Sequence, residues 1–105
     1  LWASVHIAGG HAMAPIAQTS LADFRRMIDT NAVTCFLCCR AAVNAMRGGG
    51  RIVNVAARPA LEWRTGAGMA AYTVSKAGVA ALTRIRDTHR GSLASCNALL
   101  KAKDL

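Results

Sequence analysis

Apolar residues along the chain fall into two short unbroken runs and several stripes at helical spacing. The first run, Leu1 to Ala8 (L-W-A-S-V-H-I-A), ends in Gly9-Gly10 and predicts a short strand buried on both faces, followed by a turn. Ser20 with Asp23 three positions on is a helix-capping pair, after which Leu21, Phe24, Met27 and Ile28 form one apolar stripe. A second helical stretch over about 32–46 carries Val33, Phe36, Leu37, Val43 and Met46, and Asn31 stands at the join. An Asn inside a helical run competes for backbone hydrogen bonds, so a cap or kink is expected there. Gly48-Gly49-Gly50 is a turn, because three glycines cost too much backbone entropy to sit in a helix. Arg51 to Ala57 reads as a β-branched strand, and Pro59, Trp63, Gly66 and Gly68 mark a long loop. From Met69 to about Arg86 the pattern is helical, with Leu82 and Ile85 as packing residues and Gly78 as a close-contact point. The remaining stretch predicts only a short helix near Ser95–Lys103.

Composition narrows the function classes. A chain of 105 residues accommodates one domain with a thin core. No apolar run reaches the roughly 18 residues of a membrane span, and no secretory leader pattern opens the chain, so a soluble, cytoplasmic protein with no membrane partner is expected. The opening at Leu1 rather than Met is read as an upstream segment being absent. The net charge of +8 comes from 13 Lys and Arg against 5 Asp and Glu. Only Arg25 and Arg26 are adjacent, however, and no nucleic-acid-binding motif accompanies them, so no nucleic-acid partner is expected; a basic rim for an anionic dinucleotide, or simple solvation, accounts for the charge. Cys35, Cys38 and Cys39 fall at i, i+3 and i+4 and share a helical face with Ala42, the pattern of small buried residues. With no second cysteine pair and no nearby His pair, neither a metal site nor a disulfide is expected. His6 is read as a hydrogen-bonded strand residue.

The chemistry concentrates in Tyr72-Thr73-Val74-Ser75-Lys76. At i and i+4 the phenol and ammonium lie on one helical face, and a nearby cation favours the ionised phenol. That is a general acid/base pair in outline.

The run Gly68-Met-Ala-Ala-Tyr72-Thr-Val-Ser-Lys76-Ala-Gly-Val-Ala-Ala-Leu82-Thr83 resembles the active-site helix of the short-chain dehydrogenase/reductase family, whose hallmark is Tyr-x-x-x-Lys. Residues 21–34 (L-A-D-F-R-R-M-I-D-T-N-A-V-T) resemble the helix that carries its active-site Asn, here Asn31, and Gly50-Arg-Ile-Val-Asn-Val-Ala56 resembles the strand before its active-site loop. The resemblance covers 1–84 and stops in a divergent tail, 85–105.

The resemblance implies an α/β fold, part of a doubly wound Rossmann-like parallel sheet: strands Leu1–Ala8 and Arg51–Ala57 joined by a helical crossover, with the Tyr72 helix packed on the sheet. It implies an NAD- or NADP-dependent oxidoreductase acting on a carbonyl, alcohol or imine group of a small molecule. Tyr72 would exchange the proton, Lys76 would bind the nicotinamide ribose and lower the Tyr72 pKa, and Asn31 would hold a relay water on its backbone carbonyl. Ala8 and Gly9 would line the cofactor cleft, although His6-Ile7 stand where the family has amide side chains. Two parts of the pattern are absent. The hydroxyl residue after the strand is replaced by Ala57 or Pro59, as it is by Ala in the similar dihydropteridine reductases, and no Gly-rich phosphate turn is found. The isolated chain is therefore expected to be an inactive fragment lacking the dinucleotide-binding half. Self-association through the helix over 69–86, with its small residues Ala77, Gly78, Ala80 and Ala81, is a further expectation. Two rival readings stay open: a degenerate, non-catalytic interaction module and a basic nucleic-acid binder.

Overall fold

The computed structural model describes residues 1–87 and 93–97. Three parallel strands form one sheet in the order β1 (Ala3–His6), β2 (Gly50–Asn54), β3 (Leu93–Asn97). Ala3 to His6 pair with Arg51 to Asn54, and Gly50 to Asn54 with Leu93 to Asn97. Parallel neighbours need long connections. The β1–β2 connection runs through α1 (Leu21–Met27), a π-helical segment (Ile28–Val33) and α2 (Thr34–Ala45), while α3 (Ala70–Asp87) lies between β2 and β3. The α/β class and the parallel pairing of the two expected strands are as the sequence indicates. No helix among the described residues is long and apolar enough to cross a membrane.

The core lies on one face of the sheet. Cys35, Cys39 and Ala42 of α2 and Met46 just past its end meet Ile52 and Ala56 from the β2 region and Val79 and Ala80 of α3, with Val43 and Leu82 at the margin. Ser4, His6, Ile52 and Asn54 point to this helical face by the alternation of the strands. Val5 belongs to the other face and is 58% exposed. β1 is therefore not buried on both faces, because the described residues supply helices for one face only and β1 is an edge strand.

The helical stretches keep the expected order with a changed phase. Ser20 caps α1, its hydroxyl accepting from the Asp23 N–H at 3.0 Å. The buried line then runs Met27, Asn31, Cys35, Cys39, Ala42, Met46. Three successive steps of four would drift by roughly 40° each on an α-helix; the wider π turn at Ile28–Val33 absorbs that drift and keeps the line on the sheet. The expected stripe of Val33, Phe36 and Leu37 consequently faces outward, and Cys38 is exposed rather than sharing the buried face of Cys35 and Cys39.

The glycine turn behaves as expected. Gly49 takes a positive φ of 94°, and a side chain on Gly50 would meet Met46 Sδ and the Trp2 carbonyl oxygen, so α2 and β1 approach the backbone there directly. The loop after β2 holds two single-turn helices, Arg58–Ala60 and Trp63–Gly66. It runs into the start of α3 through Met69 N–H donating to Gly66 O (2.9 Å), and the loop after β1 is held there by Ala70 N–H donating to Ala14 O (3.0 Å). The helix expected near Ser95–Lys103 is a strand over its first residues: Leu93–Asn97 finds its backbone partners along β2, and pairing overrides local propensity. Residues 98–103 of that expectation lie outside the described ones.

Candidate active site

The site is assembled where the loop after β1, the π segment and α3 converge. Gly10 donates its N–H to Asn31 Oδ1 (2.7 Å), and Asn31 Nδ2 donates to Gly10 O (3.0 Å). A backbone donor and a backbone acceptor together fix the orientation of the amide. Asn31 Nδ2 also donates to Ser75 Oγ (2.9 Å), and Ser75 Oγ donates to Tyr72 O (2.7 Å). One buried amide thus ties the glycine loop to the turn of α3 that presents Tyr72. The expected kink at Asn31 takes the form of the π segment, while its side chain is fully spent on structure. Its carbonyl receives the Thr34 N–H and a long 3.4 Å contact from Thr34 Oγ1.

Lys76 is 7% exposed and donates from Nζ to the Val55 carbonyl at 3.0 Å, just beyond β2. Burial lowers its pKa, an effect opposed by the neighbouring Cys35. A side chain on Gly9 would meet Asn31 Oδ1 at 2.7 Å and Lys76 Nζ at 3.4 Å, so the loop backbone comes against both expected site residues. Tyr72 is half-buried, with the His11 ring edge-on at 4.6 Å between centroids. Burial raises the Tyr72 pKa. In this arrangement the ammonium is turned to the Val55 carbonyl. A cavity of about 320 Å³ is lined by Ala8, Asn31 and Lys76 together with His6, Cys35 and Val55, and does not include Tyr72.

Ala57 and Pro59 are both buried in the turn after β2, so neither expected position offers a hydroxyl to a substrate. Of the four small residues named on α3, Gly78 packs on Ala32, Ala80 enters the core, Ala77 is half-buried and Ala81 is exposed, as is Val74 on the same helix. Ser75, Gly10 and His11 belong to the site and were not singled out from the sequence. Ser75 carried the one available signal, a hydroxyl one turn from Tyr72 on the same helix.

The buried state of Lys76 has a measurable consequence. Between its lowered native pKa and the unfolded value near ~10.4, the unfolded chain binds more protons than the native one, so stability rises with pH through that window. Lys76→Met should flatten the rise, as read from denaturant midpoints at a series of pH values below ~10.4. Parallel profiles for the two proteins would show that the Lys76 ammonium is not desolvated.

Residues 2–89 match the family model described as enoyl-(acyl carrier protein) reductase. A 3beta-hydroxysteroid dehydrogenase of Mediterraneibacter gnavus is 37% identical over 82 residues, which are 76% of this chain and 29% of that protein. A protein from Burkholderia xenovorans assigned to the short-chain dehydrogenase/reductases superposes with a TM-score of 0.83 at 25% identity, over 92% of this chain and 39% of the other. The angucycline C-6 ketoreductase LanV, solved with bound NADP, gives 0.80 at 27% identity, over 92% of this chain and 38% of that one. The chain thus spans less than a third of the curated relative's length.

Proposed function

This chain belongs to the short-chain dehydrogenase/reductase family, and from that premise we propose that it supplies the acid/base side of an NAD- or NADP-dependent oxidoreductase acting on a carbonyl, alcohol or imine group of a small molecule. The observation that carries the reading is the buried link from Gly10 through Asn31 and Ser75 to the Tyr72 turn, with Lys76 one turn further along α3 and against Gly9. Such a link holds a proton donor and a cation on a rigid helix beside a loop whose backbone is open to close approach.

The residues present fit the nicotinamide-ribose end of a dinucleotide. A side chain at Gly9 would run into Asn31 Oδ1, so bare backbone lies directly against Asn31 and Lys76, and the Lys76 ammonium needs only to leave the Val55 carbonyl to donate to a ribose hydroxyl. No described residue forms a glycine-rich phosphate cradle at a helix N-terminus. When bound, the dinucleotide would supply or accept the hydride. The chain's own part is to place the Tyr72 Oη proton beside the substrate oxygen or nitrogen, to keep that phenol half-shielded from water, and to bring Lys76 to the cofactor side of the cleft. Once turned from Val55, the ammonium also favours phenolate and opposes the upward shift that burial gives Tyr72. Ala57 and Pro59 leave the substrate oxygen to Tyr72 alone, which suits a carbonyl or imine that is already polarised. Self-association, if it accompanies this function, would use the exposed side of α3 around Val74 and Ala81.

The test is to supply the dinucleotide-binding half from a related dehydrogenase. The joined protein should bind NADH or NADPH in a fluorescence titration and oxidise it with a panel of ketones, aldehydes or cyclic imines. A folded product that binds cofactor and turns over none of them would sink the oxidoreductase reading in favour of a non-catalytic module.

A further inference from the structure

A cluster at the sheet end of the same cavity belongs to none of these roles. Cys35 and Cys39 stand one turn apart on the inner face of α2, both buried, and the fold brings His6 of β1 over them from 33 residues upstream of Cys39. One ligand atom from each of the three lies within 4.8 Å of the others. Sequence spacing gave no sign of this, because the imidazole comes from a strand and not from the cysteine helix. We propose that His6, Cys35 and Cys39 bind a zinc(II)-type cation, with Asn54 Oδ1 as the fourth donor.

The donor set suits that ion: two thiolates and one imidazole are borderline-soft ligands, and zinc takes four of them with no preferred geometry beyond the tetrahedral. The surrounding bonds are already those that such a site needs. His6 Nδ1 is the nitrogen nearest the sulfurs, 3.7 Å from Cys39 Sγ, while Nε2 is 2.9 Å from Ser4 Oγ. With an ion on Nδ1, the proton moves to Nε2 and is donated to the Ser4 hydroxyl, an outer hydrogen bond that fixes the ring's orientation. Asn54 is fully buried and its orientation is fixed from behind. Its Nδ2 donates to Thr83 Oγ1 (3.0 Å), whose own proton goes to Val79 O (2.9 Å), so Oδ1 must face the cluster. There it lies 2.8 Å from His6 Nδ1 and 3.5 Å from Cys39 Sγ. An oxygen that collects two donor hydrogens in the ion-free state is placed to take one cation when those hydrogens leave.

Binding releases the thiol protons that remain on Cys35 and Cys39, forms two S–Zn bonds, and changes no oxidation state. The cavity lined by His6, Cys35 and exposed Cys38 provides the route of entry, and the Lys76 ammonium faces the same cavity, opposite a site whose two thiolates balance the dication. The ion would clamp β1, α2 and β2 together. It requires no oxidoreductase chemistry, so it stands or falls separately from the proposed function.

Cobalt(II) reports such a site directly. Added to the purified, fully reduced chain, it should give thiolate-to-cobalt charge-transfer absorption and strong tetrahedral visible bands that saturate at about one equivalent and are erased by zinc. Cys35→Ala and Cys39→Ala should abolish the charge-transfer band, whereas Cys38→Ala should retain it. Because buried substitutions can disturb the fold, the unmutated chain gives a second reading: zinc should slow alkylation of Cys35 and Cys39 by more than roughly tenfold at concentrations well above Kd, with Cys38 unaffected, as mapped by peptide mass spectrometry. Absence of the band in the unmutated chain, its loss with Cys38→Ala, or equal alkylation with and without zinc would each overturn the proposal.

Discussion

With the dinucleotide-binding half supplied, Tyr72→Phe is expected to lower turnover by about 10²–10⁴-fold while leaving cofactor affinity nearly unchanged. The phenyl ring keeps the edge-on contact with His11 and the half-buried packing, so the substitution removes one oxygen and its proton and little else. General acid catalysis depends on that proton, since a carbonyl gaining a hydride would otherwise have to leave as an unprotonated alkoxide. Lys76→Ala is the informative contrast. Its ammonium is the cation nearest Gly9, so its loss should weaken both turnover and cofactor binding. Steady-state rates combined with fluorescence titration separate the two variants. Turnover of Tyr72→Phe within a few-fold of the parent would remove Tyr72 from the role of proton donor.

The parts of this site that could be read in the sequence are those carried by one element. Tyr72 and Lys76 are legible because i and i+4 share a helical face whatever the helix packs on, and Ser20 is legible because a cap acts within one turn. Asn31 announced a break because its side chain is a poor helix-interior group, although nothing local could say that the break would be a π segment or that the amide would be consumed by Gly10 and Ser75, 21 and 44 residues away. The α2 stripe was misread for the same reason. Once the π turn shifts the phase, Val33, Phe36 and Leu37 face outward, whereas Cys35, Cys39 and Ala42 go inward as their shared helical spacing indicated, with Cys38 left exposed. The exposure of β1 and the identity of β3 are properties of the sheet as a whole: they depend on which faces and edges the other elements cover. His6 with the two cysteines is the extreme case, a constellation created only by packing β1 against α2.

Loss of Asn31 should weaken the fold where its amide ties the glycine loop to α3. Asn31→Ala deletes three hydrogen bonds at once and strands the Gly10 N–H, the Gly10 carbonyl and the Ser75 hydroxyl around a new void at a position that is 1% exposed. Each buried polar group left without a partner costs about 1–3 kcal/mol, and Ser75 keeps its bond to Tyr72 O, so a net loss of about 2–4 kcal/mol is expected from denaturant unfolding of the chain. Asn31→Asp separates hydrogen bonding from volume. It fills the same space and keeps an acceptor for the Gly10 N–H, but at neutral pH it turns an oxygen instead of N–H donors toward the Gly10 carbonyl and Ser75 Oγ. Burial and the facing carbonyl both favour the protonated carboxyl, which raises its native pKa above the unfolded ~3.9. A raised carboxyl pKa means that the native state binds more protons than the unfolded one between the two values, so this variant should regain stability relative to the parent as pH falls through that window. Recovery on acidification would identify the missing donor as the cause. A loss below about 1 kcal/mol for Asn31→Ala, with no pH-dependent recovery for Asn31→Asp, would show that the glycine loop is held against α3 by something other than this amide.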